Sequence, residues 1–317
     1  MIAVAGSTGY IGGLLCQRLC EDGAEVRALA RDPERADDLR QAGCEVVQAD
    51  VLEPETLGPA LAAVEVAYYL VHSMGRGSDG DFAERDHRGA ENFAAAAAAA
   101  GVKRIVYLGG LGEGSKHLDS RHATAETLRE GEVPVSYFRA AAVIGAGSES
   151  FRTVFYLVRR LPAMITPRWV ATRTQPIAID DAVACLAAAS DLGLEVDREI
   201  QIGGPDVTTY GGMIDELARA LGRRRPLRIV VPVLTPHLSS LWIGLVTPVD
   251  AEVAKPLIEG LSTETVVSDP AGMELLGSRP ATPLQEALRK AAAGLAEGQA
   301  SAAARARSSP TKGTSSS

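Results

Sequence analysis

The segment "VAGSTGYIGGLL", residues 4–15, constrains the fold more than any other stretch. An apolar strand runs directly into glycines at 6, 9 and 12, and the last of these already lies in helix-forming sequence. Glycines so spaced permit a tight strand-to-helix turn, a close backbone approach to a ligand, and close packing of the helix on its strand. The helix that follows aims free amides and the positive end of its dipole at whatever lies before the turn, which suits a pyrophosphate. A turn that binds nothing is the plainer alternative, and the surrounding chain has to decide between the two. The candidate contacts are Gly6, Ser7, Thr8, Gly9, Tyr10, Ile11 and Gly12.

The surrounding chain has the required rhythm. Short apolar runs, "IAVAG", "EVRALAR", "EVVQAD", "VAYYLV", "RIVYLG" and "VSYFRAAAV", alternate with helix-sized segments over residues 2–145. Runs of this kind are buried on both faces, so the alternation predicts an α/β fold with a doubly wound parallel sheet, the Rossmann arrangement. After Gly145 the alternation loosens into mixed helices and isolated strands such as "EIQIGG", with no internal repeat. We therefore expect a dinucleotide-binding domain over 1–147 and a smaller mixed C-terminal lobe over 148–297, partly interleaved with the sheet. The stretch 298–317 lacks large apolar residues and is expected to be a disordered tail.

Composition narrows the function. A chain of 317 residues, 46% hydrophobic, can bury a sizeable core. The formal net charge of −8 opposes a nucleic-acid surface, and the one basic run, Arg223 to Arg225, reads as a solvated loop after a helix. Cys16, Cys20, Cys44 and Cys185 show neither metal spacing nor a disulfide framework; Cys16 and Cys20 share a helix face and read as small buried residues. His117 and His122 have no further ligands nearby, so no metal is expected. No charged leader precedes an apolar core, which points to a cytoplasmic protein. The uncharged run 229–249 is broken by Pro232, Pro236 and Pro248, so no transmembrane span is expected, while contact with a membrane surface stays open.

Further candidates follow from the order of the strands. Where an NAD-preferring site would carry an acid at the end of the second strand, this chain has Arg31. A guanidinium there suits a 2′-phosphate and favours NADP(H), with NAD(H) still open. Asp32, just before Pro33, reads as a helix cap. Asp50 and Val51, past the third strand, are placed toward the adenine, and Val71, His72 and Ser73, past the fourth, toward the nicotinamide ribose.

Taken together, "GSTGYIGG", "RALARDPER", "QADVLEP", "YYLVHSMG", "VYLGGLGE" and "FRAAAVIGAGS" resemble the atypical, extended short-chain dehydrogenase/reductase family, in particular its NmrA-like NAD(P)H-binding members. The resemblance extends through "TQPIAIDDA" and "ELARALGRRRPLRIVVPV" to nearly everything but the tail. It implies a Rossmann fold, a bound nicotinamide dinucleotide and, in standard members, a Ser or Thr after the fifth strand with a Tyr four residues before a Lys. Those residues protonate the developing alkoxide. Here Gly109 and Gly110 stand at the hydroxyl position, Leu118 at the tyrosine position and His122 at the lysine position.

Two readings follow. In one, the protein is an NADPH-dependent reductase in which His122 supplies or relays the proton. A quinone, flavin or enone acceptor would instead take protons from water. In the other, it is a non-catalytic NADP(H)-binding redox sensor or a regulatory or assembly protein with a protein partner. Trp169, Trp242, Phe155 and Tyr156 are expected either to wall a pocket for a hydrophobic acceptor or simply to pack the lobe. Arg139, a charge in an apolar strand, is expected to be paired.

Overall fold

The computed structural model describes residues 1–72, 82–166, 168–193, 197–230, 263–277 and 279–308. Its first half alternates strand and helix as the sequence predicts: β1 (Ile2–Ala5), α1 (Tyr10–Glu21), β2 (Val26–Ala30), α2 (Asp37–Gln41), β3 (Glu45–Gln48), α3 (Pro54–Leu61), β4 (Val66–Tyr69), α4 (Phe82–Ala99), β5 (Arg104–Gly110), α5 (Lys116–Arg129) and β6 (Val135–Ala140). The remainder contributes β7 (Val143–Ile144), α6 (Glu149–Arg160), β8 (Ala163–Thr166), β9 (Arg173–Thr174), β10 (Ile177–Ala178), α7 (Ile179–Ala188), β11 (Arg198–Ile202), β12 (Thr208–Thr209), α8 (Tyr210–Ala220), β13 (Leu227–Val230), α9 (Ala271–Glu274) and α10 (Leu284–Ser308).

Seven strands form one parallel sheet in the order β3-β2-β1-β4-β5-β6-β11. The central strands are buried on both faces, which is why they read as unbroken apolar runs. Leu15, Cys16 and Leu19 of α1, Leu39 of α2, and Val183 and Leu186 of α7 cover one face. Leu57 and Leu61 of α3, Ala90, Phe93, Ala94 and Ala97 of α4, and Leu128 of α5 cover the other. The alanine run of α4 lets it approach the sheet and its neighbouring helices closely, with Phe93 as its large anchor against Tyr69.

The seventh strand, β11, comes from well beyond residue 147 and lies parallel to β6 at the sheet edge. The C-terminal part of the chain thus also supplies a strand to the sheet. Its own core joins Phe151, Phe155 and Val158 of α6 to Tyr210, Ile214 and Leu217 of α8 and Leu284, Leu288 and Leu295 of α10. α10 continues past Gly298 to Ser308, so the tail expected from 298 is helical over its first part. Alanine-rich sequence of this kind propagates a helix already anchored by its first turns. Residues 309–317 and the part of the uncharged run from 231 to 249 lie outside the described residues.

Arg223 to Arg225 are exposed, as a solvated loop requires. Cys16 is buried, while Cys20 is only half-buried and has its Sγ 3.3 Å from that of Cys44. No helix among the described residues is long and apolar enough to cross a membrane. Nor do those residues place any group of three His, Cys, Asp or Glu side chains to hold a metal ion.

Candidate functional site

β1 lies between β2 and β4, so the crossovers leave it in opposite directions and open a crevice at its C-terminal end. A cleft of about 750 Å³ occupies that position. Gly6, with φ +82°, forms its floor, and a Cβ there would lie 2.6 Å from the Leu70 carbonyl oxygen. A Cβ at Gly12 would collide with the Gly6 carbonyl, so these two glycines are what allow the turn and α1 to close on β4. Gly9 caps α1 without any side-chain hydrogen bond, and the first-turn amides are left for a ligand.

Thr8, Gly9, Tyr10, Ile11 and Gly12 line the cleft with Gly6. Ser7 does not: it is fully buried, and its Oγ donates to the Leu29 carbonyl at 2.8 Å, fastening the turn to β2. The Tyr10 ring packs on Gly147, and burial raises its phenol pKa against the opposing effect of the Gly147 backbone.

Arg31 stands exposed at the end of β2 on the cleft wall, without an ion pair among the described residues. Asp32 turns away to accept the Glu34 amide at 3.2 Å and caps the 3-10 turn Pro33–Ala36. Asp50 and Val51 line the cleft next to Arg31; Asp50 Oδ1 accepts the Leu52 amide at 2.9 Å, and the Val51 carbonyl accepts Asn92 Nδ2 at 2.9 Å. Val71 and His72 continue the wall, His72 Nδ1 standing 3.8 Å from the buried Asp86 carboxylate. Ser73 lies outside the described residues. The crowded glycine turn, the uncapped helix start and the cation at the end of β2 fit a dinucleotide.

At the other end of the cleft the glycines of β5 have a packing reason. A Cβ at Gly109 would lie 2.7 Å from the Tyr137 hydroxyl, and a Cβ at Gly110 would lie 2.6 Å from Leu118 Cδ2. Leu118 lines the cleft, so a hydrocarbon occupies the place the resemblance assigns to tyrosine. Tyr69, Tyr107 and Tyr137 stand opposite one another on β4, β5 and β6, with ring centroids 6.1 and 5.4 Å apart. Arg129 covers the Tyr137 ring at 5.4 Å. Burial raises the phenol pKa of Tyr137, and likewise that of Tyr107.

His122 is not part of the cleft lining. Its Nδ1 lies 2.8 Å from the Tyr137 hydroxyl and its Nε2 lies 3.0 Å from the Gly112 carbonyl. The Gly112 carbonyl only accepts and lies nearer Nε2 than the Arg139 Nη2 donor at 3.4 Å, so we assign the proton to Nε2, with Nδ1 accepting from Tyr137. Arg139 is paired as expected: Nη1 meets Glu199 at 2.9 Å, while Nε and Nη2 donate to the Gly110 and Gly112 carbonyls at 3.3 and 3.1 Å. Together they hold the 110–112 turn from behind.

Phe155 and Tyr156 pack in and against the lobe core rather than on the cleft, Tyr156 accepting Gln299 Nε2 at 2.7 Å. The Trp169 side chain and Trp242 lie outside the described residues. The apolar wall comes instead from Leu108, Leu111, Leu118 and Val143. Arg121, not among the residues expected from the sequence, also lines the cleft; its spacing of one helical turn from Leu118 is the signal that points to it.

A family model for NAD(P)H-binding proteins matches residues 6–146. The (4-alkanoyl-5-oxo-2,5-dihydrofuran-3-yl)methyl phosphate reductase of Streptomyces griseus is 28% identical over 298 residues, covering 90% of this chain and 96% of the relative. The mitochondrial NADH dehydrogenase [ubiquinone] 1 alpha subcomplex subunit 9 of Arabidopsis thaliana is 24% identical over 286 residues, 84% of this chain and 71% of that protein. Among solved structures, the Citrobacter sp. triphenylmethane reductase complexed with NADP(H) shares the fold, with a TM-score of 0.72 at 22% identity over 92% of this chain and all of that one.

Proposed function

Residues 6–146 match the NAD(P)H-binding family model, and on that premise we propose that the protein is an NADPH-dependent reductase acting on a hydrophobic conjugated acceptor. One observation carries the choice of acceptor: Leu118 and Gly110 fill the proton donor's place, and the Tyr137 hydroxyl is held behind them by His122. Bound NADPH supplies a hydride. A simple aldehyde or ketone would then need an acid to quench its alkoxide. An enone or quinone needs none, because the electron pair spreads onto a conjugated oxygen and the proton follows from water.

Leu108, Leu111, Leu118 and Val143 hold the hydrocarbon part of the acceptor by apolar contact. Arg31 takes the 2′-phosphate and sets the preference for NADP(H). His122 acts as a positioning residue for the 110–112 turn. The Streptomyces griseus relative, whose name describes an unsaturated oxo-dihydrofuran, supports the conjugated class.

The test is an anaerobic single-turnover assay that follows the near-ultraviolet absorbance of enzyme-bound NADPH against enones, quinones, flavins and saturated aldehydes. Enones or quinones should oxidise it and saturated aldehydes should not. A second reading, a non-catalytic NADP(H) binder serving a protein partner, draws on the same missing donor and on the likeness to a mitochondrial NADH dehydrogenase subunit. NADPH that survives every acceptor would favour it.

A further inference from the structure

The acceptor end of the cleft holds one charge that neither the dinucleotide turn nor the apolar wall accounts for. Arg121 lies on α5 one turn beyond Leu118, and both line the cleft beside Tyr107. Other half-buried arginines have their carboxylates: Arg139 meets Glu199, Arg129 meets Glu126, and Arg228 meets Asp215. Arg121 makes no ion pair or hydrogen bond among the described residues, and its Nε is buried without a partner. A guanidinium beside a hydrocarbon wall is partly desolvated, and none of the described residues brings an anion to offset that cost. That cost is relieved if a ligand brings the anion.

We propose that Arg121 receives an oxyanion on the acceptor itself, so that the substrate class is an apolar conjugated carbonyl compound bearing a carboxylate or a phosphate. The inference rests on the reductase reading and deepens it. The planar fork of a guanidinium pairs bidentately with either oxyanion and fixes the direction from which the acceptor lies on the nicotinamide. Leu118, Leu111 and Leu108 hold the hydrocarbon part, so the charge and the wall together select an amphipathic molecule. Arg121 donates no proton; it orients.

Binding to the full chain loaded with NADP+ tests this without turnover. Calorimetry would compare 4-oxodec-2-enoate, its methyl ester and 4-oxodec-2-enyl phosphate. At least one anion should bind about tenfold or more tightly than the ester, and comparing the two anions tells carboxylate from phosphate. Arg121→Gln should erase the difference and Arg121→Lys should keep part of it, each leaving NADP+ affinity within roughly twofold of the original. Circular dichroism would confirm that both variants fold, and the lysine variant serves if the glutamine one does not. The inference is overturned if the three probes bind alike, if none binds, or if Arg121→Gln keeps the preference. It is equally overturned if Arg121→Gln weakens NADP+ but spares NAD+, for then Arg121 reads the cofactor's phosphate. Failure of the reductase reading is seen separately, as bound NADPH that survives every acceptor.

Discussion

The Tyr137 hydroxyl donates to His122 Nδ1 across 2.8 Å, tying the end of β6 to α5 behind the cleft. Because Nε2 is committed to the Gly112 carbonyl, the imidazole is a bridge between two fixed groups. His122→Ala would leave the Tyr137 hydroxyl without that acceptor, while Gly112 keeps Arg139 as a donor. We expect a loss of about 1–3 kcal/mol in stability by urea unfolding. NADPH affinity and the single-turnover hydride rate should stay within roughly threefold of the original, since no group in the cleft is removed. A loss of hydride transfer without loss of stability would restore His122 as a catalytic residue.

Restoring the hydroxyl that standard reductases carry should harm this protein. Gly110→Ser pushes into Leu118, and Gly109→Ala pushes into a Tyr137 ring already held between Tyr107 and Arg129. Each change should cost about 1–3 kcal/mol through overpacking, visible as a lowered melting temperature, and Gly110→Ser should bring no gain on saturated aldehydes.

Neighbouring glycines of the first turn should respond differently. Gly12→Ala drives a methyl into the Gly6 carbonyl and should abolish nucleotide binding or folding. At Gly13 the nearest atom to a new Cβ is the Ser7 carbonyl oxygen at 3.4 Å, ordinary contact, and in a helix interior alanine is favoured by about 1 kcal/mol. Gly13→Ala should therefore fold and bind NADPH normally, which thermal denaturation and fluorescence titration would show side by side.

The role proposed for Arg31 is to tell the two dinucleotides apart. Arg31→Ala should weaken NADPH by about 10- to 100-fold, the range of a lost charge-assisted contact, and leave NADH nearly untouched. Equal weakening of both would mean that Arg31 shapes the turn rather than reading a phosphate.

What the sequence made legible was local. The glycine turn, the apolar strands and the cap at Asp32 each depend on residues a few positions apart, and each is found in place. The role of His122 depends on Tyr137, a partner on another element, and no spacing rule brings the two together. The register of β5 against β6 does so: it sets Tyr107 opposite Tyr137 and Gly109 opposite Arg139, and the small residue makes room for the large ring. Arg121 was hidden for a related reason. A single arginine in a polar helix looks like solvent-facing charge until the cleft shows which face it shares with Leu118.

The position of β11 has a consequence for the chain during its synthesis. β6 gains its outer neighbour only when Arg198–Ile202 emerges, after α6, the short strands and α7 have been made. Until then the backbone of β6 is an open edge, ready to template pairing with another nascent chain. At roughly 5–20 residues per second that edge stays open for several seconds. The lobe is therefore also a delay line, and a truncation within it would release a protein that carries the whole glycine turn and a sheet with nothing to close it.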